Sequence, residues 1–284
     1  MTRPAFRIGV VAPASRIEPS LAEAVTALAN AMYPAATAEI VFDPQCFLSS
    51  GHFAGDDDRR AQAFLAVAND ESFGALWVAR GGYGSARLIS AVVPRLNAAA
   101  RRKVYLGYSD AGALLGALYG AGCGGIAHGP MPADLNRPNG EVAVRRALSF
   151  LVDRDGAALE PRVDARTRTA AFNITILSHL LGTPWQPDLA GHVLMLEEVS
   201  EHMYRIDRAL CQITSNPEIR RVAGICLGRC SLIPPNEPDF GQTEEEVCRH
   251  WCAVSGIPYL GRADIGHDVD NRVVPFGLPG ASTR

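Results

Sequence analysis

Lysine is nearly missing from this chain of 284 residues: of 27 cationic side chains, Lys103 alone is a lysine and the other 26 are arginines. Chemistry that needs a Schiff-base or phosphate-clamping lysine therefore has one candidate. A basic excess is missing as well, since 27 cations face 30 Asp+Glu for a net charge of -3. Dedicated nucleic-acid binders and proteins of anionic membrane surfaces carry a basic face, so neither kind of partner is expected. Long apolar runs are also absent. The uncharged stretch from Ala111 to Ala127 carries six glycines and falls short of the roughly 20 apolar residues that span a bilayer. Near the start, the apolar run Ile8 to Ala12 is stopped by Pro13, too short for the roughly 7 to 15 residues of a signal-peptide core. A cytoplasmic location is expected.

Cysteine is sparse and odd in number, seven residues, far below the density of a disulfide-built scaffold. The simpler expectation is a reducing compartment. Cys226, Cys230, Cys248 and Cys252 form two pairs with three intervening residues, which admits a four-thiolate zinc site but departs from the usual spacing of two. Cys248 and Cys252 also stand four apart in a helix-like stretch, where packed free thiols are expected. No His-Glu-x-x-His or other metal spacing is present, and neither metal nor cofactor is expected.

What the chain does have is 48% hydrophobic and 20% charged residues, enough for one large or two medium globular domains. Apolar runs at Phe6 to Ala12, Ala38 to Phe42, Ala75 to Ala79, Lys103 to Gly107 and Gly125 to Ala127 predict strands. Helical spacing fills the intervals, as in Leu21, Val25, Leu28 and Met32, then in Arg59 to Ala68, Ser85 to Val93 and Ala111 to Tyr119. Strand and helix in alternation predict an α/β fold, a mostly parallel sheet flanked by helices. After Met131 the texture changes. Residues 1–135 are expected to form the α/β domain, 136–168 a connector that includes a helix from about Glu141 to Val152, and 169–284 a second, mixed α+β domain. Helices there are predicted near Ile174 to Leu181, Tyr204 to Gln212 and from Thr243, with strands at His192 to Leu196, Val222 to Leu227, near Tyr259 and near Val273.

The sharpest local feature is Gly107-Tyr108-Ser109-Asp110-Ala111, set between a predicted strand and a predicted helix. A serine in such a turn, with small residues two positions either side, resembles a nucleophile elbow that lifts the hydroxyl toward the amides of a helix N-terminus. The alternative is that Ser109 or Asp110 simply caps the helix. Upstream, Arg80-Gly81-Gly82-Tyr83-Gly84 follows another strand; it lacks the G-x-G-x-x-G spacing of a dinucleotide loop but allows close approach of a ligand to backbone amides. Ligand sites of open α/β sheets gather at the C-terminal ends of their strands, where both segments fall.

These segments together resemble the serine LD-carboxypeptidases, the muramoyltetrapeptide carboxypeptidase family that also includes the microcin-immunity peptidases. The resemblance runs through Val11-Ala12-Pro13, Phe53-Ala54-Gly55-Asp56 with Arg59-Arg60-Ala61, the Arg80 to Gly84 loop, Gly107 to Asp110 and His128-Gly129-Pro130-Met131. It continues with Leu181-Gly182-Thr183-Pro184, Leu196-Glu197-Glu198-Val199, Tyr204 to Arg208 and Gly266-His267. It implies a cytoplasmic serine peptidase of peptidoglycan recycling that releases terminal D-alanine from murein tetrapeptides, without a metal and as a homodimer. It implies Ser109 as nucleophile, His267 as general base, Glu197 as the acid that orients it, and the backbone amides of Gly82 and Asp110 as the oxyanion hole. Arg80 and Tyr83 are the candidates for substrate binding; Arg80 either holds a substrate carboxylate or braces its own loop.

The local chemistry allows these roles. Glu197 follows Leu194 and Leu196 and fits a carboxylate delivered at a strand end, and Asp264 to Asp268 reads as a polar turn suited to an exposed imidazole. His128, beside Gly129-Pro130, fits a structural histidine, and the other five histidines have no comparable context. Lys103 stands six residues before Ser109 along a strand, roughly 20 Å away at about 3.3 Å per residue, too far to serve as its base. One departure stands out: family members usually carry a glycine pair before an asparagine where this chain has Ala171-Phe172-Asn173. Phe172 is expected to narrow the cavity those glycines would leave. With Trp185 it keeps open a substrate carrying a base, a peptidyl or aminoacyl nucleotide as in the immunity peptidases; a non-catalytic small-molecule binding protein is the third possibility.

Overall fold

The computed structural model describes residues 5–279, and among these ten strands form two sheets. The first contains β1 (Phe6–Val11), β2 (Ala38–Phe42), β3 (Phe73–Val78), β4 (Val104–Gly107), β5 (Gly125–His128) and, from the far end of the chain, β10 (Val274–Pro275). The order is β10-β5-β4-β3-β1-β2, parallel throughout except for the antiparallel pair of β10 with β5. Burial on both faces explains why these strands read as continuous apolar runs. Val10, Trp77 and Leu106 face the helices Pro19–Met32 and Glu141–Asp153, while Val11, Leu76 and Tyr105 face Asp57–Asn69 and Ala111–Gly120. The period of two splits one sheet between two cores. The indole N–H of Trp77 donates to the Pro130 carbonyl at 2.8 Å, so that core also fixes the segment after His128.

The second sheet is β6 (Thr169–Asn173), β7 (Val193–Val199), β8 (Gly224–Ser231) and β9 (Tyr259–Arg262), in that order and all parallel. Helices Ile174–Leu180, Met203–Ser215 and Glu244–Ser255 make the crossovers. The α/β class expected from the sequence holds, and the antiparallel element of the fold is supplied by β10, which returns to the first sheet. Two details differ from expectation. Strand β6 was not anticipated, because Thr-Ala-Ala-Phe-Asn neither alternates nor carries strand-forming residues beyond Thr169 and Phe172; complete burial, not propensity, makes it a strand. The helix predicted over Ser85 to Val93 is instead three short turns, Ser85–Leu88, Ile89–Val92 and Val93–Arg95, the last built around Pro94, which keeps the segment from extending as a helix.

Lys103 lies at the start of β4, the end of the sheet opposite the serine turn. Its ammonium donates to the Asp70 carbonyl at 2.9 Å and to that of Phe73, and burial pushes its pKa down to about 8. It ties strands rather than serving a site. Cys226, Cys230, Cys248 and Cys252 are free thiols in or against the core, and the described residues contain no His, Cys, Asp or Glu group arranged to hold a metal. No helix among the described residues is long and apolar enough to cross a membrane.

Candidate active site

Only three residues separate β4 from helix Ala111–Gly120, and the turn is sharp enough to hold Ser109 at φ 61°. The left-handed region costs an L-residue roughly 1–2 kcal/mol, so the turn is a strained one. Neither Ser109 nor Asp110 caps the helix with its side chain. The Asp110 carboxylate instead accepts the Ser85 amide at 2.8 Å and its carbonyl accepts the Ser85 hydroxyl at 2.5 Å, tying the turn to the glycine loop; burial raises the Asp110 pKa. A Cβ on Gly81 would stand 3.0 Å from both Cβ and Oγ of Ser109. Glycine there lets loop and turn touch. Gly82, at φ 88°, continues the loop. Among the described residues, the Gly82 and Asp110 amides donate no hydrogen bond.

Arg60 holds the loop from behind. Its fully buried guanidinium donates to the carbonyls of Pro13 at 2.5 Å and Gly84 at 3.0 Å, pairs with Asp57 and lies 4.4 Å from the Phe53 ring centroid. The segments Ala12-Pro13, Phe53 to Asp56 and Arg59-Arg60 noted in the sequence are thus scaffolding for the glycine loop.

Glu197 and Glu198 are adjacent on β7 and so point to opposite faces. Glu198 turns toward helix Ile174–Leu180, accepting from Asn173 Nδ2 at 2.5 Å and from the Thr175 amide at 2.9 Å; burial raises its pKa. Glu197 turns the other way, and its Oε2 lies 2.5 Å from Nδ1 of His267. A carboxylate oxygen accepts, so Nδ1 carries the proton and Nε2 of the neutral ring keeps its lone pair. That nitrogen is shielded from solvent without a hydrogen-bond partner. The expected hydrogen bond from Ser109 to His267 is not formed; such bonds are often long before substrate binds.

Two expectations are corrected here. Glu197, expected at a strand end, lies inside β7, two residues before its last, and is fully buried, and His267 is not exposed but 8% accessible. The polar run around His267 folds inward because Arg229, on β8, pairs with Asp264 at 2.5 Å and with Asp268, turning those charges outward and the imidazole inward. The Tyr108 ring covers the imidazole at 4.8 Å between centroids. Burial lowers the proton affinity of His267, the charge and hydrogen bond of Glu197 raise it, and the balance lies above the ordinary 6.5. His128 is buried and engages Asn271 Oδ1 at 3.1 Å, an oxygen that also accepts the Gly266 amide at 3.2 Å. It braces the approach to His267.

One cavity of about 510 Å³ collects Arg80, Gly82, Ser109 and His267, with Tyr108, Asp134 and Arg137 in the same wall. Arg80 is exposed and makes a single long hydrogen bond, 3.4 Å, to the Arg16 carbonyl. Tyr83 is 59% exposed, packs beside His52 and Phe53, and does not line the cavity. Phe172 does not narrow it either: the ring lies in the core, 5.0 Å from that of Phe276 and in the space left by Gly112 and Gly116. The Tyr108-Asp134-Arg137 group was not anticipated. Its only sequence signal is that Tyr108 adjoins Ser109.

Gly228, opposite Glu197 where β8 slips register, gives a test of the inward fold. A Cβ there would stand 2.7 Å from the Ile265 carbonyl oxygen and 3.0 Å from Glu197 Cβ. Gly228→Ala is expected to lower stability by about 1–3 kcal/mol, read by denaturant unfolding, and to lower kcat by displacing His267.

Residues 8–129 match the LD-carboxypeptidase N-terminal domain and residues 167–281 the LD-carboxypeptidase C-terminal domain. A Synechocystis sp. protein named as a carboxypeptidase is 34% identical over 248 residues, 84% of this chain and 79% of its own length. The murein tetrapeptide carboxypeptidase of Pseudomonas aeruginosa is 29% identical over 243 residues, 80% of this chain and 78% of its own. In fold, the chain is similar to muramoyltetrapeptide carboxypeptidase from Oxalobacter formigenes, with a TM-score of 0.78 and 24% identity over 95% of this chain and 93% of the other. It is also similar to the immunity protein MccF in complex with glutamyl sulfamoyl guanosine, with a TM-score of 0.77 and 17% identity over 97% and 92%. Matches to both domains in chain order, and a relative 34% identical across most of both lengths, identify the chain as a member of the LD-carboxypeptidase family.

Proposed function

We propose that this protein is a serine-type carboxypeptidase that hydrolyses the amide before the terminal D-alanine of a murein tetrapeptide. Residues 1–135 supply the nucleophile, Ser109, and residues 169–284 supply the base and its partner, His267 and Glu197. The observation that carries the proposal is the meeting, at one cavity, of a serine in a strained turn and an imidazole whose inner nitrogen is held by a buried carboxylate. Ser109 Oγ adds to the scissile carbonyl while its proton passes to Nε2 of His267. The developing oxyanion is met by the Gly82 and Asp110 amides. His267 then returns the proton to the nitrogen of the departing D-alanine, leaving an ester on Ser109. Water, deprotonated at the same Nε2, hydrolyses that ester and restores the hydroxyl.

Incubation with a murein tetrapeptide is expected to release D-alanine and the tripeptide, at a rate unchanged by a chelator. Intact tetrapeptide after prolonged incubation would refute the substrate assignment. A nucleotide-bearing substrate has less support: neither Phe172 nor Trp185, the aromatics that favoured it in the sequence, lines the cavity.

A further inference from the structure

We infer that Arg137, rather than Arg80, seats the free carboxylate of the substrate's last residue, so that Arg137 makes this site select for a chain end. The inference rests on the proposed carboxypeptidase activity and deepens it. A guanidinium offers two forks for a carboxylate, one from Nε and one terminal nitrogen, the other from both terminal nitrogens. In Arg137 the first fork is taken. Nε donates to Asp134 Oδ1 at 2.9 Å, and the terminal nitrogen Nη2 on that side donates to the Tyr108 hydroxyl at 3.4 Å. The second fork has no protein acceptor among the described residues, while the side chain lines the cavity and keeps 36% of its surface accessible.

The support is rigid. Asp134 is buried and accepts three hydrogen bonds, from Arg137, from the Tyr108 hydroxyl at 2.7 Å and from the Met131 amide at 2.8 Å. Tyr108 directly precedes Ser109 in the turn, so the guanidinium is tied through the Tyr108 hydroxyl to the turn that carries the nucleophile. It is near enough to His267 to oppose that ring's protonation. In a C-terminal substrate the free carboxylate is only two bonds beyond the scissile nitrogen, so its partner must line the same cavity as the reacting serine, as Arg137 does. Arg80 offers no such preorganisation, being exposed and held by one long bond. A fixed fork loses less side-chain freedom on binding than a mobile one.

The test separates binding from turnover. In the Ser109→Ala background, calorimetry would compare a murein tetrapeptide with its C-terminal amide, with and without Arg137→Gln. The parent is expected to prefer the free acid by about 10- to 100-fold, the scale of a charge-assisted pair of hydrogen bonds. Arg137→Gln should abolish that preference by weakening the acid while leaving the amide within about twofold. Arg137→Lys, which retains a cation beside Asp134, should keep part of it, and Arg80→Gln all of it. A parent that binds acid and amide equally, a preference that survives Arg137→Gln, or equal weakening of both ligands would overturn the inference. Failure of the unmutated protein to hydrolyse the tetrapeptide, with the binding preference present, would count against the proposed reaction and not against Arg137.

Discussion

Ser109→Ala is expected to lower kcat for D-alanine release by at least about 10³-fold, with KM and the unfolding midpoint little changed. Loss of the hydroxyl removes the only atom that forms a covalent bond with substrate in the proposed reaction, whereas the cavity, its arginines and the two unbonded amides stay in place. The residual rate would come from water acting within an intact oxyanion hole. Stability should hold for a separate reason. The Ser109 side chain makes no hydrogen bond among the described residues, its carbonyl keeps the Gly112 amide at 2.9 Å whatever the side chain, and alanine carries the same backbone penalty at φ 61°. Steady-state kinetics with a thermal melt on the same preparation decide the matter. Activity within about tenfold of the parent would exclude the covalent route, and a fall in KM-independent rate accompanied by unfolding would show that Ser109 acts on the fold instead.

The serine turn was legible in the sequence because its signals are local: Gly107 and Ala111 flank Ser109, and a strand and a helix abut it. What could not be read was whether Ser109 caps the helix, since serine is favoured equally at a cap and at an elbow. Backbone conformation separates the two, and φ 61° with no cap hydrogen bond is the elbow geometry. The assignment between Glu197 and Glu198 was partly legible. Leu194 and Leu196 define one face of β7, and Glu197 falls on the other by alternation, yet its burial depends on Gly228 and Ile265 in distant segments. His267 misled for the same reason. A polar run reads as exposed, but Arg229, 38 residues earlier, neutralises Asp264 and Asp268 and lets the run fold over the imidazole. Arg137 gave no signal of its own, because its meaning lies in a buried partner, Asp134, held by the Tyr108 hydroxyl and the Met131 amide. Local chemistry was readable; side-chain direction imposed by a remote charge was not.

Glu197→Gln should lower kcat/KM by about 10²- to 10⁴-fold and also move the pH profile, a combination that a purely structural role would not produce. Catalysis needs the neutral imidazole, so activity falls as pH drops through the pKa of His267. Burial depresses that pKa, and the charge and hydrogen bond of Glu197 more than offset it, placing the acid limb above the ordinary 6.5. With a neutral amide at position 197 the largest raising influence is gone while burial still depresses the pKa, and the limb should shift to lower pH. The plateau falls because a glutamine can turn its NH₂ toward Nδ1. The ring then takes the other tautomer, with Nε2 protonated and unable to accept from Ser109. Nothing resists that turn, since Glu197 Oε1 has no hydrogen-bond partner to distinguish the two amide orientations. The linked stability change has a fixed sign. A folded-state pKa above the unfolded value means that the His267–Glu197 interaction stabilises fully below the unfolded imidazole pKa of about 6.5 and loses that contribution as pH rises through the folded value. The stability gap between parent and Glu197→Gln should therefore be wider at pH 6 than at pH 8. A rate loss with an unmoved acid limb and a pH-independent gap would mean that Glu197 supports the fold without setting the state of His267.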